Sequence, residues 1–445
     1  MKKLSLCLLC CAMAAVQAPA QQPWSLERCI AHAVEHNISV RQTENQLQQR
    51  QLQLQNAKAQ RLPDLNASAG QNFSFGRGLT AENTYTNTNT SSTSFSIGTS
   101  VPLFTGFQIP NQVKLSQLNL EAATLDLEKA RNDIRTQVAQ QYVQTLYDLE
   151  MESVARRQVA IDSAQVQRLE SLLLAGRASQ AELSQQRATL AQSQLTVTQA
   201  ANNVSLSLLA LSQLLELESP EGFTVAIPDS ARVAQLVTSG QETLVTPEQI
   251  FQEAVSVRPE IQSEQMRLRA ADNSIKIAQA GYYPTLSFSA GMGTNYYTTS
   301  GFHSDGFSTQ LKNNFSQYLG FSLSVPIFNR LQTRNNVRSA RVDRLNQQLQ
   351  LDNARKTLYK EIQQACYNTI AARQKVLSSS QARQAAADAF TLVQARYEQG
   401  KTTITEFNES RNSLLKAESD LTQARYEYLY QTALIQFYRG QPLRF

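Results

Sequence analysis

Two periodicities alternate along this chain. Stretches rich in Gln, Leu and Ala, with apolar residues three and four apart, predict helices over 26–61, 108–175 and 179–214. A second set is predicted over 247–283, 332–399 and 403–437. Between the first and second helices of each set the period drops to two. Phe95, Ile97, Val101 and Leu103 alternate with Ser96, Gly98, Ser100 and Pro102, with Thr99 the one polar member of the apolar series. Leu286, Phe288, Ala290 and Met292 stand against Ser287, Ser289, Gly291 and Gly293, and Leu319, Phe321, Leu323 and Val325 against Gly320, Ser322 and Ser324. A weaker run places Phe73 and Phe75 after Ala67 and Ala69. These runs predict strands at about 64–76, 93–103, 285–295 and 317–327, with Ser/Thr/Asn/Tyr-rich loops at 77–92 and 296–316. The first helix stops before Pro63, since the residue preceding a proline is pushed towards extended geometry, and Pro259 is expected to kink or divide its counterpart.

The two sets are one sequence written twice. At an offset of 221, Ala33-Val34 meets Ala254-Val255, Pro63-x-Leu65 meets Pro284-x-Leu286, and Ser68-Ala69-Gly70 meets Ser289-Ala290-Gly291. A three-residue insertion then moves the offset to 224. There Val101-Pro102-Leu103-Phe104 meets Val325-Pro326-Ile327-Phe328, Gly176 meets Gly400, Glu182 meets Glu406 and Arg187 meets Arg411. Copies this long are not solenoid units, so the chain is a duplicated supersecondary unit. The organisation expected is a signal at 1–20, a first repeat at 21–214, a linker at 215–246 and a second repeat at 247–445. Each long helix has a returning partner half its length, which fits if the returning helix stacks end to end with one of the shorter first helices.

Composition enters at this point as a constraint on the four strands. No apolar run reaches the ~18 residues of a spanning helix, and a charged fraction of 17% argues against disorder. The net charge of +5 is far too small for a nucleic-acid binder, and it falls to +3 if Lys2 and Lys3 are removed. Their removal is expected. The two lysines, the apolar stretch to Val16 and Ala18-Pro19-Ala20 read as a cleaved secretory signal. Cys7, Cys10 and Cys11 leave with it, and Cys29 and Cys366 read as buried apolar residues. An exported chain has two uses for strands of this kind, a half-buried sheet or a membrane barrel. Four strands cannot close a barrel alone, whereas three chains supply twelve, and open edges cannot face lipid. A periplasmic coiled-coil adaptor or structural protein is the rival reading; it leaves a strand pair in each repeat unexplained.

Chemistry is sparse. His32-x-x-x-His36 has the spacing of two metal ligands on one helix, but Glu35 does not follow His32. The second copy has Glu253 and Val257 at the matching positions, so a solvated helix without a metal is expected. No nucleophile motif or phosphate-binding glycine loop appears, and neither an enzyme nor a cofactor is expected. At the two helical turns, Gly176 and Gly400 suit a left-handed helix end. Ser179-x-x-Glu182 and Thr403-x-x-Glu406 each fit a reciprocal capping box. That role accounts for both glutamates but not for Glu409, one turn beyond Glu406 on the same face.

In its order of helix, Leu/Tyr-Pro-x-Leu, strand pair, Val-Pro-Leu/Ile-Phe and long helix with a central Gly turn, twice over, the chain resembles the TolC-type outer membrane efflux family. The resemblance covers essentially the whole chain after the signal. It implies a mainly α protein with membrane β structure: a long coiled-coil helical barrel crossing the periplasm, joined to a β-barrel with four strands per protomer and twelve in the homotrimer. It further implies a passive conduit that docks to a periplasmic adaptor and an inner-membrane transporter, with the 215–246 linker in an equatorial belt. Carried onto this chain, the resemblance puts Glu406 and Glu409 at the periplasmic constriction. It puts Tyr397 in a closing link with the first copy, where Glu182 is the acidic residue. It also makes the turns around Gly176, Arg177, Gly400 and Lys401 the adaptor contact. An arginine usual to the family two residues after the second glycine is Thr402 here.

Overall fold

A computed structural model describes residues 23–79, 83–227 and 246–443. The expected signal at 1–20, residues 228–245 of the expected linker and Phe445 lie outside these. The helices are α1 (Leu26–His36), α2 (Ile38–Ala59), α3 (Gln108–Leu174), α4 (Gln180–Leu214), α5 (Pro247–Val257), α6 (Pro259–Gln279), α7 (Phe307–Asn313), α8 (Gln332–Glu398) and α9 (Ile404–Tyr438). The strands are β1 (Asn66–Leu79), β2 (Tyr85–Thr105), β3 (Thr285–Thr299) and β4 (Ser316–Ser324). In the four longest helices the duplication survives to the residue. α3 and α8 have 67 residues each, about 100 Å of helix, and α4 and α9 have 35 each.

The chain divides into two compact units, and each draws on both sequence copies. One takes Gln46–Thr124 and Ser263–Asn353; the other takes Met1–Asn45, Leu125–Gln262 and Ala354–Phe445. The first unit is built on one antiparallel sheet in the order β1-β2-β3-β4. Its β1–β2 hairpin runs further than the expected 64–76 and 93–103. Ser74 faces Thr90, Gly76 faces Thr88 and Leu79 faces Tyr85, so the polar stretch expected as a loop is mostly strand. Period-two apolar alternation fails there because both faces are polar, while the repeated Thr remains a good strand former. Hydroxyls pair across the strands, as in Ser68 Oγ to Ser96 Oγ at 2.7 Å and Gln71 Nε2 to Ser91 Oγ at 2.8 Å.

Pro102 brings a second departure. The β2–β3 register shifts between Pro102 and Phe104, so Phe104, not Leu103, faces Leu286 and continues the apolar series. A proline without a ladder donor is tolerated at such a bulge. The second expected loop contains α7, whose side chains cap the part of β3 that extends past β4. Gln310 bonds both the N–H and the carbonyl of Tyr297, at 3.0 and 2.9 Å, and Asn314 Nδ2 donates to Asn295 O at 2.7 Å. Apolar side chains along β4 stand in the open: Leu319, Phe321 and Leu323 are 78%, 72% and 65% exposed.

The second unit is helical, with a core that includes Val138, Leu146, Leu211, Leu215, Ile250, Ile261, Leu358 and Ile362. Ser25 and Thr246 cap α1 and α5 through their hydroxyls, and Pro247 occupies the first turn of α5. Both copies break their first helix at the same place. Pro259 explains the break after Arg258, but the first copy breaks at Asn37 with no proline, where a continuous helix was expected. Asn37 replaces the proline with hydrogen bonds. Its Oδ1 accepts from Ser39 N at 2.9 Å, and its Nδ2 donates to Leu214 O at 3.3 Å. The end of α4 therefore meets the start of α2, an end-to-end contact of the kind the helix lengths allow. Arg258 makes the equivalent joint by other means, stacking over Phe437 at 4.9 Å and Tyr438 at 5.4 Å near the end of α9.

Near the N-terminus Trp24 pairs with Val225, and Tyr142 Oη reaches the carbonyls of Ala226 (2.7 Å) and Trp24 (3.1 Å). His32 and His36 are not on a solvated face. They stack at 4.1 Å, and His32 meets the Trp24 ring edge-on at 5.2 Å. Among the described residues no group of three or more His, Cys, Asp or Glu is placed to hold a metal. Cys29 and Cys366 are free and buried.

Candidate functional site

The two helical turns come together in the helical unit. Gly176 and Gly400 have φ of +68° and +72°, and a Cβ on either would meet nothing within 4 Å. Glycine is there for the left-handed backbone and not for space. Each turn closes α3 or α8 with the same pair of bonds. Gly176 N donates to Leu173 O and Arg177 N to Leu172 O; Gly400 N donates to Tyr397 O and Lys401 N to Arg396 O.

Beyond the glycines the two copies diverge. Ser179 Oγ accepts from Glu182 N at 3.1 Å, and Glu182 Oε2 accepts from Ser179 N at 2.8 Å, which completes the capping box. Thr403 Oγ1 accepts from Glu406 N at 3.3 Å, but the Glu406 carboxylate accepts from the Thr402 hydroxyl and does not reach back to the Thr403 amide. The reciprocal box expected at both turns forms only at the first. Thr402 is the residue that engages Glu406.

Between the turns lies a small core of Val166, Leu169, Leu183, Ile404 and Phe407, with Leu190, Phe390 and Tyr397 packed on it. The Tyr397 ring tilts against Phe407 at 4.9 Å, and the Arg168 guanidinium sits 5.5 Å from the centre of the same ring. Burial pushes the Tyr397 phenol above its ordinary value; Arg168 pulls it back, and the Glu182 carboxylate adds to the rise. Tyr397 and Glu182 are thus within electrostatic reach, although Glu182 Oε2 is engaged at the cap. Glu406 and Glu409 are exposed on the side of α9 away from Ile404 and Phe407, and Arg177 and Lys401 are exposed at the tips.

Sequence reasoning missed what lies one turn deeper. Asp162 of α3 and Arg411 of α9 form an ion pair with side chains 0% and 4% exposed. Asp162 also accepts from Gln158 Nε2 at 3.0 Å and from the Ser193 hydroxyl. A signal was available. Asp162 stands seven residues from both Ala155 and Leu169, and Arg411 seven from Ile404, all of them buried seam positions.

The sequence profile of the outer membrane efflux protein family matches residues 29–216 and 250–440, one span per copy. The chain belongs to that family. This membership places it at the outer membrane. Among relatives, the pyoverdine export outer membrane protein OpmQ of Pseudomonas aeruginosa is 25% identical over 386 residues, 83% of this chain and 75% of OpmQ. The outer membrane protein TolC of Escherichia coli is 27% identical over 162 residues, 36% of this chain; the match spans only 33% of TolC. The outer membrane protein VceC of Vibrio cholerae has the same fold, with a TM-score of 0.75 at 19% identity over 94% of this chain and 97% of VceC.

Proposed function

We propose that three copies of this chain form an outer-membrane channel, the exit duct of a tripartite export system. The observation that carries the reading is the sheet: four strands, with β1 and β4 as its edges, and large apolar side chains exposed along β4. An open edge is not tolerated in lipid, and closing it against the next copy gives a twelve-stranded barrel with Leu319, Phe321 and Leu323 turned to the acyl chains. In this reading 1–20 is the export signal, 21–214 and 247–445 are the two repeats, and 215–246 joins them in an equatorial belt.

At the periplasmic end, threefold rings of Glu406 and Glu409 bring six carboxylates to one narrow mouth. Their summed field favours cations. Tyr397 and Glu182 hold the second-copy turn to the first, with Thr402 in place of an arginine. The turns carrying Gly176, Arg177, Gly400 and Lys401 are the surface met by the adaptor, which links the channel to an inner-membrane transporter. Crosslinking from these four positions to the co-expressed adaptor tests the contact. The test of the constriction is the reversal potential of reconstituted channels. Glu406→Ala with Glu409→Ala lowers cation preference and block by multivalent cations; unchanged selectivity and block sink the assignment.

A further inference from the structure

The Asp162–Arg411 pair is a costly way to hold helices together. Burial lowers the Arg411 guanidinium to about 10, a mark of its lost solvation. Gln186 Nε2 reaches Asp162 Oδ1 only at 3.5 Å while its Oε1 accepts from Asn408 Nδ2 at 3.3 Å, so α3, α4 and α9 all close on one carboxylate. Arg411 Nε, Gln158 Oε1 and Asn408 Oδ1 are nonetheless buried without partners among the described residues. A half-satisfied polar network in an apolar seam is a poor stabiliser, and apolar side chains of similar volume often do as well or better. The best-attested use of such pairs is to fix register.

The duplication supplies an internal comparison. Arg187 holds the place of Arg411 in the first copy, yet its side chain is 56% exposed and pairs with Glu170 of its own copy at 2.8 Å. The second-copy counterpart of Asp162 is Ala386, which offers no carboxylate. The buried pair is therefore one-way: the second copy's α9 is tied to the first copy's α3, with no reciprocal bond. Arg411 follows Ile404 and Phe407 on the buried face, and at ~100° per residue Glu409 and Glu406 lie ~160° and ~140° around α9 from it. Whatever fixes the rotation of Arg411 fixes the direction of both carboxylates. A cleft of about 680 Å³ is bordered by Met151, Gln158, Ser193 and Arg411, so the pair lies at the edge of a void and not in a close-packed core.

We infer that Asp162 and Arg411 are a positioning pair: they lock the rotation and register of α9 against α3 and α4, and so set the aperture at Glu406 and Glu409. This rests on the constriction proposed above. The experiment compares single-channel records of the wild type with Asp162→Leu/Arg411→Met, a swap that leaves no orphaned charge, and with Glu170→Leu/Arg187→Met as the control from the other copy. The expected result is a double variant that assembles with wild-type heat resistance but has lost the closed, low-conductance level and the cation preference, while the control keeps both. An assembled double variant with wild-type conductance levels and selectivity overturns the lock. A double variant that fails to assemble also overturns it, because the pair is then a folding requirement. Failure of the wild type to form a pore would instead remove the channel reading itself. Asp162→Asn alone strands Arg411 in the seam and is expected to lower heat resistance; the absence of any loss would count against the burial on which the inference depends.

Discussion

Replacing Glu182 and Glu406 by alanine, one at a time, should have unequal effects on the helix starts they occupy, although the sequence around them is nearly the same. Glu182 accepts from the Ser179 amide at 2.8 Å and from its hydroxyl at 3.1 Å, whereas Glu406 is turned to the Thr402 hydroxyl. Loss of a helix-start acceptor costs about 1 kcal/mol. At about 1.4 kcal/mol per decade, that is a roughly fivefold increase in local opening. Amide hydrogen exchange measured by NMR or peptide mass spectrometry reads it directly. Glu182→Ala should speed exchange at Ser179 about fivefold, while Glu406→Ala should leave Thr403 within a factor of about two. Ser179→Ala and Thr403→Ala, which remove acceptors present in both copies, should each speed their own Glu182 or Glu406 amide. Equal acceleration at Ser179 and Thr403 in the two glutamate variants would refute the asymmetry.

Further outcomes follow from the same geometry. Gly176→Ala and Gly400→Ala should each cost about 1–2 kcal/mol of local stability from the left-handed backbone alone, read as faster proteolysis at the tips. Gly106→Ala should cost more, because at φ +60° its Cβ would lie 2.7 Å from Ala280 O and 2.8 Å from Tyr283 Cβ. Phe407→Ala should remove about 3–5 kcal/mol from the core between the turns and release Tyr397, visible as tip-localised exchange. Burial raises the phenols of Tyr142, Tyr430 and Tyr438, and takes Tyr426 to about 12. These groups hold their protons more tightly folded than unfolded. Their contribution is complete below the ordinary tyrosine value of about 10 and fades as pH rises through the folded values. Tyrosinate absorbance should therefore lag in the folded protein and jump on alkaline unfolding. Cys29, its thiol pushed up to about 12 by burial, should resist alkylation until the chain unfolds.

Much of this was legible in the residues, and the parts that were not share a cause. Helices and apolar strands announce themselves by period, and the constant offset of 224 carries from sequence to the bounds of α3, α4, α8 and α9. The upper β1–β2 hairpin did not, because Ser, Thr and Asn on both faces leave no period to read. The break at Asn37 was hidden because hydrogen bonds to Ser39 and Leu214, not a proline, make it. The bulge at Leu103 and the α7 cap on β3 depend on partners distant in sequence. At the site, Gly176, Gly400 and the Ser179–Glu182 box were readable as local rules. The turn of Glu406 to Thr402 was not, since both copies satisfy the same motif. Asp162 and Arg411 stood at seam positions where polar residues are costly, and only the packing of α3 against α9 pairs them.

Closure of the sheet between copies is the claim on which the channel rests, and cysteine pairing tests it most directly. Within one chain β1 and β4 are separated by β2 and β3, so a disulfide joining the two edges links neighbours. Ala69→Cys on β1 is combined with Cys at successive β4 positions from Gln317 to Leu323, and the protein is oxidised in outer membranes. Covalent dimers and trimers, with nothing larger, are expected at one register of the series. A monomer at every register, or a ladder continuing past the trimer, would contradict it.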